Sequence, residues 1–461
     1  MGGNAALIVS IRALSIDGDV TPVRCFRHLH PVLGGPLMRC SKSLVKPLHC
    51  RLATGFCLLA AAGASHAGTF VGEKGSIEFF GNLYPQYQWT SFTEPTAVGS
   101  QVSTLVTRSN TSTTLRSVTN RRDMDRINWS QSFVAMRGKY QFNDAWEVGF
   151  RLDEQIATPY NNEEYFSRSR DAYLYVDHQH LGTFTAGRIN SILSNWGDPV
   201  RMLGVSESNF ISTAVLLSGA GFSGGSGAGT TIWVTRASHG YKWESPKWNG
   251  WSLGTSYMPH RDGPEFGRPR RAYSYGIRWD TGPWYAAVQY ERHTNHLVIS
   301  GVPTAPPAET SIVNQGGGSL DQNVRFSAAY QTKRFKVGFD LSRVQYAEDP
   351  TLAYGKFKSY TVPTWKISGE WQATPKLTLA ANYIHAGAGH CVLSGGAVCC
   401  TLGMGADGYE IGARYNFSKY YSLFALAGRI DDNPSSNYGS PMRAPLGATV
   451  DNLAIGLHVK Y

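Results

Sequence analysis

The chain has 461 residues, of which 50 are glycine, 12% are aromatic and only 16% are charged, with a formal net charge of +10. That charge content lies below the roughly 25% of soluble domains, and no run reaches the ~20 apolar residues of a transmembrane helix. These figures exclude a helical membrane protein. The basic excess shrinks further once the N-terminal segment is set aside, which argues against a nucleic-acid binder.

Residues 1–37 show no periodicity and read as an upstream extension, with Met38 the expected true start. Residues 38–67 read as a secretory signal: Arg39, Lys42, Lys46 and Arg51 precede the apolar stretch Leu52 to Gly63, and Ala64-Ser-His-Ala67 supplies small residues before a cut after Ala67. Residues 1–67 together carry seven Lys/Arg, two Asp and four of the seven cysteines, all lost with that cut. Residues 68–461 remain as one domain.

From there the chain alternates. Ile77 to Trp89 forms a first strand. Trp146, Val148, Phe150 and Leu152 oppose Glu147, Arg151 and Asp153. Val324, Phe326, Ala328 and Tyr330 oppose Arg325, Ser327 and Gln331. Phe335 to Leu341 sets apolar residues against Lys336, Asp340 and Ser342, and Trp365, Ile367 and Trp371 oppose Lys366, Ser368 and Glu370. The final strand sets Leu453, Ile455, Leu457, Val459 and Tyr461 against Asn452, Ala454, Gly456, His458 and Lys460. Period-two alternation of this kind marks strands with one polar and one apolar face. Charges at mid-strand suit a face turned to water.

Short turns fall near Asn143-Asp144, His180-Leu181-Gly182, Asn249-Gly250, Thr281-Gly282, Lys333-Arg334, Thr374-Pro375 and Ser418-Lys419. Aromatic residues flank them: Tyr140 and Trp146, Trp248 and Trp251, Trp279 and Trp284, Tyr415 with Phe417 and Tyr420. Amphipathic rings at hairpin shoulders are the girdle of a membrane interface. The other connections are long. Seven hairpins plus a first and a last strand make sixteen strands, an even number with short turns on one side and long loops on the other. The fold class is therefore all-β: a closed, antiparallel, 16-stranded transmembrane β-barrel with an inward-folded constriction loop. Two stretches fit less simply. Tyr421 to Gly428 is apolar on both faces, and 230–246 could hold one strand or two.

The longest connection, 189–230, contains Trp196, Asp198, Pro199, Arg201, Glu207 and a Gly/Ser-rich tract. A connection of this length is a functional candidate, and folded inward it narrows a barrel of this size. Gly221-Phe-Ser-Gly-Gly225 matches a nucleophile-elbow pattern, but a glycine-rich tract matches it by chance and the strand–turn–helix context is missing. The reading is a channel and not an enzyme, with no cofactor. Arg137, Arg151 and Arg188 form a candidate basic wall facing Asp198 and Glu207 on the loop, with Tyr84, Tyr173 and Tyr175 as lumen aromatics. Fixed charges of this kind set pore selectivity, and the arginines favour anions. Cys391, Cys399 and Cys400 share one Gly-rich loop. An exported chain meets an oxidising compartment, so Cys391 can pair with Cys399 or Cys400, whereas a metal site with His385 and His390 lacks a recognised spacing.

Several segments resemble the trimeric general porins of Gram-negative bacteria, of the type common in beta-proteobacteria. Ser76-Ile-Glu-Phe-Phe-Gly81 is similar to that family's first strand, S-V-T-L-Y-G. Ala135-Met-Arg137-Gly138 resembles G-F-[RK]-G, and Leu181-Gly-Thr-Phe-Thr-Ala-Gly187-Arg188 resembles F-G-T-[VL]-T-L-G-R at the entry to the constriction loop. Tyr241-Lys-Trp-Glu-Ser-Pro246 and Ile455-Gly-Leu-His-Val-Lys-Tyr461 are similar to V-K-Y-x-S-P and to the terminal insertion signal V-G-L-R-H-x-F. The resemblance covers nearly all of 75–461. It implies a homotrimer in the bacterial outer membrane, inserted by the assembly machinery through the strand ending at Tyr461. It also implies passive diffusion of small hydrophilic solutes and ions, with Arg188 and Arg137 in the basic cluster. Phe133 stands where many relatives have an arginine, and Tyr461 replaces the usual terminal Phe. The alternative function is a substrate-specific channel with a solute-binding track of lumen aromatics.

Overall fold

A computed structural model describes residues 68–103, 112–116, 123–129, 132–156, 166–204, 233, 236–259, 271–294, 320–347, 357–438 and 444–461. The expected leader, 1–67, lies outside these residues. Sixteen strands form one antiparallel sheet that closes on itself. They are β1 (Gly75–Leu83, continued by Gln86–Thr93), β2 (Met124–Asn128, continued by Phe133–Gln141), β3 (Trp146–Ile156), β4 (Phe166–His178), β5 (Gly182–Ile189), β6 (Ala237–Glu244), β7 (Trp251–Met258) and β8 (Arg271–Thr281). The second half comprises β9 (Trp284–Thr294), β10 (Leu320–Gln331), β11 (Phe335–Tyr346), β12 (Phe357–Gln372), β13 (Leu377–Ala386), β14 (Ala406–Asn416), β15 (Tyr421–Asp432) and β16 (Thr449–Lys460). All seven expected hairpin turns occur. Within 230–246 the described residues hold one strand, β6.

The seam is made by β1 and β16, from Thr93↔Thr449 to Gln86↔Gly456 and on to Asn82↔Lys460. β1 breaks at Tyr84-Pro85, because proline has no N–H to give the ladder; its carbonyl still accepts from the Leu457 N–H at 3.0 Å. Tyr461 completes the closure by exchanging backbone hydrogen bonds with Gly81 at 3.1 and 3.2 Å. Its ring covers Gly81, where a β-carbon would lie 2.5 Å from the Tyr461 ring.

Burial is inverted relative to a soluble protein. On the outer face Ile411, Leu423, Leu453 and Ile455 are uncovered, while on the inner face Arg325, Ser327, Asp340, Ser342 and Lys366 are buried. Apolar residues with no protein over them, on every stave of a closed sheet, call for a hydrocarbon surround. An arginine on that face is costly, so Ile411→Arg should destabilise the barrel by about 2–4 kcal/mol. Urea titration of folding into lipid vesicles reads this directly. A loss under ~1 kcal/mol would place position 411 away from the hydrocarbon.

β15 is the strand with two apolar faces, and the structure explains it. Tyr421 and Leu423 face outward, whereas Phe424 and Leu426 are buried against Tyr84, Met202, Leu203 and Ala454. The inner partner therefore includes two residues from the segment that follows β5.

Candidate functional site

The segment after β5 begins with Ser191, whose hydroxyl accepts from the Ser194 N–H at 3.2 Å and caps the short helix α1 (Ile192–Trp196). Ile192, Leu193 and Trp196 are buried. They can be because the wall facing them is glycine: a β-carbon on Gly254 would meet Ile192 at 2.6 Å and Trp196 at 2.7 Å, and one on Gly276 would meet the same two residues at 2.8 and 2.9 Å. Both glycines share a strand face with buried serines, Ser252 and Ser256 on β7 and Ser274 on β8. Ser256 and Ser274 hydroxyls accept from the Ile192 and Leu193 N–H groups. Glycine inside a strand often marks such a close approach.

Beyond α1 the segment is tied to the inner wall residue by residue. The Asp198 N–H donates to Asp340 at 3.0 Å, and the Asp198 carboxylate accepts from Lys366 Nζ at 2.6 Å. Asp340 also binds Arg325 at 2.9 Å and the Ser327 hydroxyl at 2.6 Å. The Leu203 N–H donates to Glu370, the Leu203 carbonyl accepts from Arg414, and Met202 packs beside Asn382. Asp198 and Leu203 both adopt left-handed backbone, with φ of 53° and 52°. Non-glycine residues hold that conformation at a cost, which these tethers offset. Asp198, expected as a loop acid facing the basic wall, is buried, and its charge is met by Lys366. Glu207 lies outside the described residues.

A second constellation sits on β1 to β4. Arg137 and Arg151 stand opposite one another across the β2–β3 ladder. Two guanidinium groups so close repel, but each has its own carboxylate. Arg137 binds Glu78 at 2.6 Å, and Arg151 grips Asp153 through two hydrogen bonds of 2.8 and 2.7 Å. Both also lie over the Phe80 ring, at 4.9 and 5.3 Å from its centroid, within cation–π range. Phe133 meets Phe80 edge-on and carries Arg170 at 5.0 Å. Tyr173 lies opposite Arg151, and the Tyr175 hydroxyl donates to Glu147 at 2.8 Å.

Two other sequence candidates, Arg188 and Tyr84, are placed differently, and the expected Cys391–Cys399 pairing is present. Alternation along β5 puts Gly187 opposite Tyr173 on the face of Arg151, so Arg188 points to the other face, opposite Ala172. Its Nε donates to the Arg170 carbonyl at 3.0 Å. Regular alternation is enough to place it there, because Thr183, Thr185 and Gly187 take the inward positions. Arg188 is therefore corrected from the basic wall to a backbone contact. Tyr84 shares the inner side but is covered, stacked on His458 at 4.5 Å within the Phe424–Leu203 cluster. Cys391 and Cys399 form a disulfide with a Cα–Cα distance of 5.2 Å, leaving Cys400 as the free cysteine among the described residues. The bridge is buried with Leu193, Trp233, Tyr346 and Tyr360.

The tethers Arg325, Lys366, Glu370 and Arg414 had only their inward parity to mark them in the sequence, as did Gly254 and Gly276. Inward glycines between serines were the one signal that could have located the segment's footing.

A family model described as Gram-negative porin matches residues 53–435. Among solved structures, the anion-selective porin from Comamonas acidovorans is similar over 84% of this chain and 100% of its own, with a TM-score of 0.56 and 11% identity. OmpF of Salmonella typhi, in complex with daunomycin, is similar over 86% and 100%, with a TM-score of 0.56 and 12% identity. OmpT of Vibrio cholerae expressed in the outer membrane matches over 86% and 100%, with a TM-score of 0.55 and 13% identity. At these identities the likeness is one of fold. No match was found to a curated protein.

Proposed function

Because the chain belongs to the Gram-negative porin family, we propose that its barrel encloses a general diffusion pore narrowed by the segment from Ser191 to Gly204. The protein is an outer-membrane channel for passive diffusion, built as a closed barrel of sixteen strands. One observation carries the narrowing: α1 is seated in a glycine notch on the inward face of β7 and β8, and the chain after it is tethered across β10 to β14. A segment so anchored takes up cross-section that the solute would otherwise use. Transport then needs no chemistry, only a wet lumen, a narrow point and fixed charge. We infer that the protein is not an enzyme.

The assembly we infer is a homotrimer, which a porin fold supports; an in-vitro folded OmpT of Vibrio cholerae is described in a trimer form and matches with a TM-score of 0.53. We infer further that the leader ends at Ala67 and that the last strand, ending at Tyr461, addresses the assembly machinery. In planar bilayers the purified, processed protein should insert with stepwise ohmic current in three equal sublevels. Folded protein that carries no current would refute the channel reading, and single-level insertions would refute the trimer.

A second reading, a channel with a solute-binding track, is favoured by the rings of Phe80, Phe133 and Tyr173 beside three arginines. Conductance that saturates with one solute and is blocked by its competitors would select it. We also propose a preference for anions, but not through the arginines that the sequence singled out.

A further inference from the structure

We propose that Arg278 and Arg414 form a binding station for small, multiply charged oxyanions of the phosphate class, in a cavity beneath the Ser191–Gly204 segment. This rests on the channel reading above. The cavity is lined by Trp196, Arg201, Arg278, Lys336, Glu370 and Arg414. Its place in the fold is the short-turn mouth: Arg278 lies just before the turn at Gly282, Lys336 just after the turn at Arg334, and Arg414 just before the turn at Phe417.

Charge compensation singles out these two arginines. Every carboxylate near the cavity already has a partner. Glu370 takes Lys336 at 2.8 Å and the Leu203 N–H, Asp198 takes Lys366 at 2.6 Å, and Glu244 takes Lys242 at 2.7 Å and the Trp196 indole N–H at 2.9 Å. Neither Arg278 nor Arg414 forms an ion pair with any of them, although Glu244, held by Lys242, lies within the field of Arg278. Among the described residues the Arg278 guanidinium carbon lies 4.7 Å from the Trp196 ring centroid, and Arg414 donates to the Leu203 carbonyl. A ring face and a neutral carbonyl orient a guanidinium without cancelling its charge.

Arg137 and Arg151 make the contrast. Those two are closer to the expected position for anion recognition, yet Glu78 and Asp153 offset them at 2.6 and 2.7 Å. Positive potential is left where the offset is missing, and low-dielectric walls focus it onto whatever occupies the cavity. A guanidinium fork matches two oxygens of an oxyanion, and two forks suit an ion with several. Chloride would feel the same field but use no fork. The predicted order is therefore phosphate held longer than chloride.

The test uses the whole protein in planar bilayers. Millimolar inorganic phosphate should lower the chloride current of the unaltered channel. In the double variant Arg278→Gln with Arg414→Gln, that block should vanish and the chloride-to-potassium permeability ratio should fall by roughly threefold, the field of two unit charges being removed. Removing one charge of each sign with Arg137→Gln and Glu78→Gln should change the ratio less. Retained block with Arg278→Lys and Arg414→Lys would show that charge alone acts, overturning the fork. A conducting channel indifferent to phosphate, or a block that survives the glutamine pair, overturns the station while leaving the channel intact. Folded protein with no current at all would instead sink the channel reading. If the double variant does not assemble, Arg278→Gln alone and the phosphate response of the unaltered protein separate the same outcomes.

Discussion

Lys366→Met should cost about 3–5 kcal/mol of barrel stability and raise single-channel conductance. Lys366 and Asp198 are both almost fully buried, with the ammonium 2.6 Å from the carboxylate. Methionine keeps the volume and removes the charge, so the carboxylate remains in a site with no cation at that contact. A buried charge left in this way must draw in water or move out. Asp198 moves most cheaply by carrying its neighbours off the wall, since its left-handed backbone is held only by the surrounding tethers. Adding Asp198→Asn to Lys366→Met removes the stranded charge and should recover most of the lost stability. The checks are thermal unfolding in detergent and conductance. A Lys366→Met channel with ordinary stability and conductance would show that this pair does not hold the segment.

Trp196→Ala should have an effect of similar size, about 3–5 kcal/mol, through loss of packing instead of charge. The indole fills the notch left by Gly254 and Gly276, donates to Glu244 at 2.9 Å and supports Arg278 from below. Alanine leaves a void against Ile192 and Ala287, the other members of that buried cluster. It also removes the surface on which Arg278 lies. Conductance should rise while phosphate block weakens. Trp196→Phe, which keeps the ring and loses the N–H, should retain most of both properties. Equal loss in the phenylalanine and alanine variants would assign the role to the Glu244 hydrogen bond and not to the packing.

These two variants act on residues that the sequence marked unequally. Trp196 and Asp198 stood out in the long connection, but Lys366 was one polar residue among many on an alternating strand. Their contact joins positions 168 residues apart, and nothing local in either segment announces it. The same holds for Glu370 with Leu203 and for Phe424 with Met202. β15 did carry a clue, because a strand that is apolar on both faces must have company inside. Arg188 misled because motif resemblance was followed over parity: it is one residue out of step with the inward Thr183, Thr185 and Gly187.

Strand number, hairpin sites, the lipid face and the closed sheet were determined by the sequence alone, because period-two alternation and turn chemistry are written within about ten residues and need no partner to be read. Which interior charges stay uncompensated was decided only by the tertiary structure. Arg137, Arg151, Arg278 and Arg414 all alternate inward, but Arg137 meets Glu78 on the neighbouring strand and Arg151 meets Asp153 two residues along its own, whereas Arg278 and Arg414 form no ion pair with a carboxylate among the described residues. Electrostatic pairing depends on distances of a few ångströms between distant parts of the chain, and closure of the wall is what sets those distances.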